Sequence, residues 1–238
     1  MSELRARLGP RQAFLFDLFH TLTGLDPPSA YPSTADVLGI DRVLWNRLLE
    51  ESSPQRLCGH VRDPFRIVRA LADQADPSIP DEVVRRAVEI RKARFREELR
   101  DIPPVNVAVL RRLRAEGLRL GLVSNADALE AAPFPGCPLD GCFDVVTFSC
   151  DAGCAKPERR IYERTLGALG VRPEEAVFVG DGGSEELRGA REVGLTTVLM
   201  TGVIRELWPE RVAARRTWAD FEIASLGELL SPRVPLPC

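Results

Sequence analysis

Five short apolar runs, each four to six residues long, constrain the fold of this chain more than any other feature: Ala13-Phe14-Leu15-Phe16, 118–123, 145–148, 176–179 and 196–200. Runs this short, bounded by turn residues, read as strands buried on both faces. Between them lie stretches with helical spacing at 105–116, 159–169 and 185–193, followed by Gly117, Gly170 and Gly194. Glycine is the residue that closes a helix in the left-handed conformation. Buried strands alternating with covering helices call for a mostly parallel sheet wrapped on both faces. The expected fold class is therefore α/β, a doubly wound, Rossmann-like sheet.

One segment breaks the alternation. From about residue 24 to 103 no strand candidate of comparable strength occurs, and helical patterns at 41–52, 63–73 and 81–100 take its place. Asp63-Pro64 and Pro80-Asp81 mark helix starts, and Pro103-Pro104 ends the segment. The expected organisation is an α/β core from residues 1–23 and 104–238 with a helical cap domain from 24–103. The cap leaves and rejoins the core near Asp17, which places it over the ligand crevice. Its stretch 85–100 holds seven Lys/Arg against three Glu and reads as a solvated, ion-paired face, with attraction of an anionic substrate as the alternative. The Pro-rich stretch 231–238 reads as a frayed tail.

Composition narrows the function classes. Lys+Arg 32 against Asp+Glu 35 gives a net charge of −3, which leaves no basic field to recruit nucleic acid. No run approaches the ~18 apolar residues of a spanning helix, and MSELRARLGPRQ has no apolar signal core. A soluble, cytoplasmic protein with no membrane partner is expected. The six cysteines, at 58, 137, 142, 150, 154 and 238, form no C-x-x-C pair and share the chain with only two histidines, so free thiols are expected rather than a zinc site or disulfides. Only two of the 32 basic residues, Lys92 and Lys156, are lysines. A lysine kept in so arginine-rich a chain marks a place for a compact ammonium.

In a doubly wound sheet the ligand crevice lies at the carboxyl ends of the strands, so the residues after each run carry the chemistry. Asp17 follows the first, where a carboxylate can serve as nucleophile or metal ligand. Ser124 and Asn125 follow the second, a hydroxyl and an amide able to hold an oxyanion. Lys156 supplies a cation near the crevice, presented by the turn at 149–153. Asp181 lies in the Gly-rich Gly180-Asp181-Gly182-Gly183, with Glu186 beyond it. Three carboxylates and one lysine suit a hard divalent cation such as Mg2+ with positions left open for substrate oxygen. Trp45 reads as cap core, His60 and Arg62 as surface residues.

In these motifs the chain resembles the haloacid dehalogenase (HAD) superfamily of aspartate-nucleophile hydrolases. The resemblance rests on Asp17 to Leu22, Ser124-Asn125, Lys156-Pro157, and Gly180-Asp181 with Glu186, in order along the chain. The run Gly189-Ala190-Arg191-Glu192-Val193-Gly194 is also family-like. The resemblance implies that Asp17 forms a covalent intermediate that water later hydrolyses. It further implies that Ser124, Asn125 and Lys156 hold the transferring group. Mg2+ would rest on Asp17, the backbone carbonyl of Phe19, and Asp181, with Glu186 acting through water.

The chain departs from the pattern at Phe19. Phosphatases of the superfamily carry a second Asp there, which protonates the leaving oxygen and later activates water. His20 also replaces a small residue, and its ring is either a spacer against the cap or a substrate-binding or proton-transferring group. Dehalogenases of the superfamily have an aromatic at the position of Phe19 but lack the Gly-Asp kept at Gly180-Asp181. Three functions stay open: Mg2+-dependent phosphoryl transfer from a small, anionic phosphorylated metabolite, which the acidic fourth motif favours; dehalogenase-like hydrolysis of a small halogenated acid; and a catalytically weak binding or regulatory member.

Overall fold

The computed structural model describes residues 7–8, 11–25 and 29–230. The segment read as a tail, 231–238, lies outside the described residues. Six parallel strands form one sheet in the order β3-β2-β1-β4-β5-β6: β1 Ala13–Phe16, β2 Arg119–Ser124, β3 Val145–Phe148, β4 Ala176–Gly180, β5 Thr196–Met200 and β6 Phe221–Ile223. All five sequence runs are strands. The sixth went unread because it is three residues long, carries Glu222 at its centre, and pairs only with β5 at the sheet edge.

The chain runs from β1 outward to β3, then returns to place β4 on the other side of β1. Strand order therefore reverses between β1 and β4, and such a reversal opens a crevice at the carboxyl ends of the two strands. Asp17 and Asp181 are the first residues past those ends.

Helices on both faces cover the sheet, and strand residues alternate between two apolar clusters. Phe14, Phe16, Leu120 and Leu122 pack with Leu110 and Leu113, while Leu15 and Phe178 pack with Ile161, Tyr162 and Ala190.

Among the described residues, five helices make up the insertion between β1 and Pro103: α1 Thr34–Leu38, α2 Arg42–Glu51, α3 Ser53–Leu57, α4 Pro64–Ala75 and α5 Asp81–Arg100. Asp41 and Asp63 cap α2 and α4 by accepting from backbone N–H groups of the first turn, as the Asp-led starts implied. The two short helices were not anticipated. Ser33 and Asp36 form a capping box around the first of them. This insertion packs around its own apolar cluster, with Trp45, Leu48, Val68, Leu71 and Val84 at the centre.

The core helices are α6 Pro104–Ala115, α7 Ala128–Ala131, α8 Ser149–Ala152, α9 Arg159–Leu169, α10 Glu186–Val193, α11 Ile204–Leu207 and α12 Val212–Arg216. The stretch read as a turn, 149–153, is a helical turn closed by Gly153 in the left-handed region, φ 69°. Among the described residues, no helix is long and apolar enough to cross a membrane. The described cysteines are free thiols, and burial pushes Cys150 up to about 11.

A buried ion network ties the insertion to the core. Arg56 of α3 and Arg91 of α5 reach across to Asp127 and Glu130, at 2.6 Å for Arg56 Nη1 to Asp127 Oδ2 and for Arg91 Nη2 to Glu130 Oε1. Asp127 caps α7 with the same carboxylate, two residues after Asn125. Burial, and then Asp127, raise the Glu130 carboxyl above its ordinary pKa. The basic face of 85–100 is thus not solvated throughout, because Arg91 is buried and spent on these carboxylates.

Candidate active site

The Asp17 backbone N–H donates to the Val179 carbonyl at 2.9 Å, which extends the sheet by one rung and fixes the side chain at the crevice. One carboxylate oxygen accepts from Thr21 Oγ1 at 2.9 Å. The other accepts from Lys156 Nζ at 2.5 Å, and the same ammonium donates to Glu186 Oε2 at 2.5 Å. Burial works against the charged lysine, but Asp17 and Glu186 outweigh it and hold the Lys156 pKa above the ordinary value. The ammonium also lies 5.6 Å from the centre of the Phe178 ring. A small cation in a two-carboxylate socket is the arrangement that keeping one of two lysines here implied.

Asp17, Asp181 and Glu186 are all buried, and each offers an oxygen within 4.8 Å of the others. Burial and then Asp17 raise the Glu186 carboxyl well above its ordinary pKa, against the pull of Lys156. Gly180 makes room for this residue: a Cβ there would fall 2.1 Å from Glu186 Oε1. The Gly182 N–H donates to the same oxygen at 2.9 Å. Asp181 accepts from the Gly183 N–H at 2.8 Å on Oδ1 and from Arg215 Nη1 at 2.6 Å on Oδ2. Arg215 donates to the Asp181 carbonyl as well, at 2.9 Å.

Ser124 Oγ is wholly buried and has no hydrogen-bond partner, a free hydroxyl at the end of β2. Asn125 holds the loop that carries the lysine. Its Nδ2 donates to the Lys156 carbonyl at 2.9 Å and its Oδ1 accepts the Lys156 N–H at 2.7 Å. Both ends of the amide therefore hold the backbone that carries the lysine. From the other side α10 presses on the same loop, where a Cβ on Gly189 would lie 2.4 Å from the Pro157 carbonyl oxygen.

A cavity of about 600 Å3 lies between the crevice and the helical insertion, lined by Phe19, His20, Asn125 and Ser184 below and by Trp45, Arg91, Arg94 and Phe95 above. The Phe19 ring meets Phe95 edge-on at 6.0 Å. His20 takes a left-handed backbone conformation, φ 60°, and sets its ring edge-on to Trp208 at 4.9 Å. Its Nδ1 lies 3.9 Å from Asp181 Oδ2. Trp45 is buried in the cluster of the insertion and also reaches the cavity. His60 and Arg62 are exposed, and Arg62 pairs with Asp151 of α8.

Comparison with known proteins places the chain in a family. The family model for haloacid dehalogenase-like hydrolases matches residues 11–194. The chain belongs to that family. This haloacid dehalogenase-like hydrolase is 37% identical over 147 residues to a phosphoserine phosphatase of Thermus thermophilus, a match that covers 61% of this chain and 59% of the relative. It is 32% identical over 186 residues to a glyceraldehyde 3-phosphate phosphatase of Methanopyrus kandleri, covering 77% and 76%. The solved HAD phosphatase of Thermococcus onnurineus superposes with a TM-score of 0.58 at 28% identity over 92% of this chain and 95% of its own. A 2-haloacid dehalogenase of Pseudomonas syringae superposes with a TM-score of 0.60 at 22% identity over 92% and 96%, a likeness of fold.

Two residues of this hydrolase site escaped the sequence reading. Thr21 sits inside the first motif, four residues past Asp17, where a turn through the left-handed His20 returns it to the carboxylate. Arg215 lies 34 residues beyond Asp181, and as one arginine among 30 it carried no signal of its own.

Proposed function

We propose that this chain is a phosphatase that uses Asp17 as its nucleophile and a divalent cation such as Mg2+, and that acts on a small, anionic phosphorylated metabolite. The observation that carries the reading is the buried triad of Asp17, Asp181 and Glu186 beside a single lysine. Three buried carboxylates against Lys156 and Arg215 leave an excess of negative charge in a desolvated site, which favours a cation. Their oxygens are the hard donors that Mg2+ takes, so the residues fit the ion. Asp17, Asp181 and the Phe19 carbonyl would hold it directly, and Glu186 through water. When bound, the ion neutralises charge on the phosphoryl oxygens and on Asp17.

The residues divide the remaining work. Asp17 attacks phosphorus, and water later cleaves the aspartyl phosphate. Lys156 and the free Ser124 hydroxyl hold the phosphoryl oxygens, Asn125 fixes the loop of Lys156, and His20 contacts the substrate from the floor of the cavity. The helical insertion, residues 24–103, acts as a cap that closes the cavity against water. The phosphatase names of the Thermus and Methanopyrus relatives support this reading, while Phe19 favours a dehalogenase-like second reading. A panel of phosphate monoesters and 2-haloacids, each with Mg2+ and with excess chelator, separates the two. Phosphate release that disappears with chelator is expected; undiminished activity in chelator, confined to haloacids, would replace this proposal with the second reading.

Arg215 adds a prediction about the ion. The guanidinium competes for Asp181 Oδ2 at 2.6 Å, and a unit charge ~4 Å away is worth up to about 4 kcal/mol at an effective dielectric of 20. Arg215→Gln is therefore expected to tighten Mg2+ binding about tenfold by titration calorimetry. Weaker binding in that variant would mean that the arginine serves chiefly to aim Asp181.

A further inference from the structure

We infer that the preferred substrates are aryl phosphates, monoesters whose departing group is an acidic phenol. The inference rests on the phosphatase reading above and deepens it. When Asp17 attacks phosphorus, the bond from phosphorus to the leaving oxygen breaks and its electron pair stays on that oxygen. An alkoxide needs a proton in that step, because its conjugate acid has a pKa of ~15 or more, and a positioned acid supplies about 10²–10⁴-fold. The side chain two residues after the nucleophile is Phe19, whose ring lines the cavity in edge-on contact with Phe95 and holds no transferable proton. A leaving group that departs as a stable anion needs none.

The cavity selects among such groups. At about 600 Å3 it lies within the ~300–1,000 Å3 of sites for drug-sized ligands, so a two- or three-carbon phosphate would leave most of it empty. Phe19, Trp45, Leu49 and Phe95 give it a wall of aromatic and aliphatic surface, against which a ring packs edge-on or offset. Arg94 also lines it and donates to the Tyr31 carbonyl at 3.0 Å through Nη1 alone. A guanidinium with free donors suits both a ring face and the negative oxygen of a departing phenolate. An acyl phosphate has an equally good leaving group but lacks the ring.

The test uses the whole wild-type chain with Mg2+. kcat/KM is measured for aryl and alkyl phosphates whose leaving-group pKa runs from ~5 to ~15, with acetyl phosphate as an acyl arm. Expected are a steep decline with leaving-group pKa, aryl esters ahead of alkyl esters by about 10²–10⁴-fold, and aryl esters ahead of acetyl phosphate at matched pKa. Phe95→Ala should raise KM for aryl esters several-fold more than for acetyl phosphate, while Phe19→Asp should flatten the decline by accelerating alkyl esters. A shallow wild-type decline would overturn the inference, showing that a cavity group such as His20 or Glu130 already delivers the proton. So would acetyl phosphate matching the aryl esters, which would make the selection one of acidity alone. Either result leaves the phosphatase reading standing. Absence of turnover with every phosphate, together with turnover of a 2-haloacid, removes the phosphatase reading as well.

Discussion

Asp17→Asn is expected to abolish turnover while the protein stays folded. This is the largest effect expected of any single substitution, because an amide of the same shape is a poor nucleophile and a weak cation ligand. The loss should reach ~10²-fold or more, the scale seen when a group acting in the transition state is removed. The fold should not suffer. Asp17 is one of three buried carboxylates, so neutralising it lessens repulsion with Glu186, Lys156 keeps its ion pair with Glu186, and Thr21 can still hydrogen-bond the amide oxygen. The checks are single-turnover kinetics and a melting curve without metal. A variant that keeps more than about a tenth of the activity would end the covalent mechanism. Inactivity in a folded variant would also separate this protein from a binding or regulatory member, since the wild type must then turn over substrate through Asp17.

Lys156 should fail in two distinguishable ways. Lys156→Met leaves Asp17 and Glu186 without the ammonium that each now meets at 2.5 Å, and removing one partner from a buried ion pair costs about 3–5 kcal/mol. Melting temperature should fall, and Mg2+ should restore more stability to this variant than to the wild type, because the ion supplies the lost charge. Lys156→Arg keeps the charge but cannot keep the geometry. The side chain is 2% exposed, and a planar guanidinium is too large to sit between the two carboxylates above the Phe178 ring. Activity should drop by ~10²-fold with a smaller loss of stability than in Lys156→Met. Wild-type rates in the arginine variant would show that any cation suffices at this position.

The candidate site was legible because each part of it is local. A strand buried on both faces is a continuous apolar run, and the residue after it is the one that the crevice presents, so Asp17, Ser124 and Asp181 could be placed by counting. Gly180 belongs to the same kind of signal: its neighbour must approach so closely that a Cβ would fall 2.1 Å from Glu186 Oε1. Lys156 stood out through composition, as one of two lysines in the chain. The helices of the insertion showed themselves through Asp and Pro at their starts.

The chain's sequence by itself determined the strand and helix pattern, the order of the motifs, and the absence of an acid at Phe19, since each is a property of a few adjacent residues. Tertiary structure decided what those residues meet. It made Asn125 a clamp on the Lys156 backbone, brought Arg215 onto Asp181 from 34 residues away, and spent Arg56 and Arg91 on Asp127 and Glu130 while leaving Arg94 to the cavity. The physical reason is that one arginine resembles another along a chain with 30 of them. Whether a guanidinium neutralises a carboxylate, caps a carbonyl or waits for a ligand depends on which groups the fold sets within ~3 Å of it.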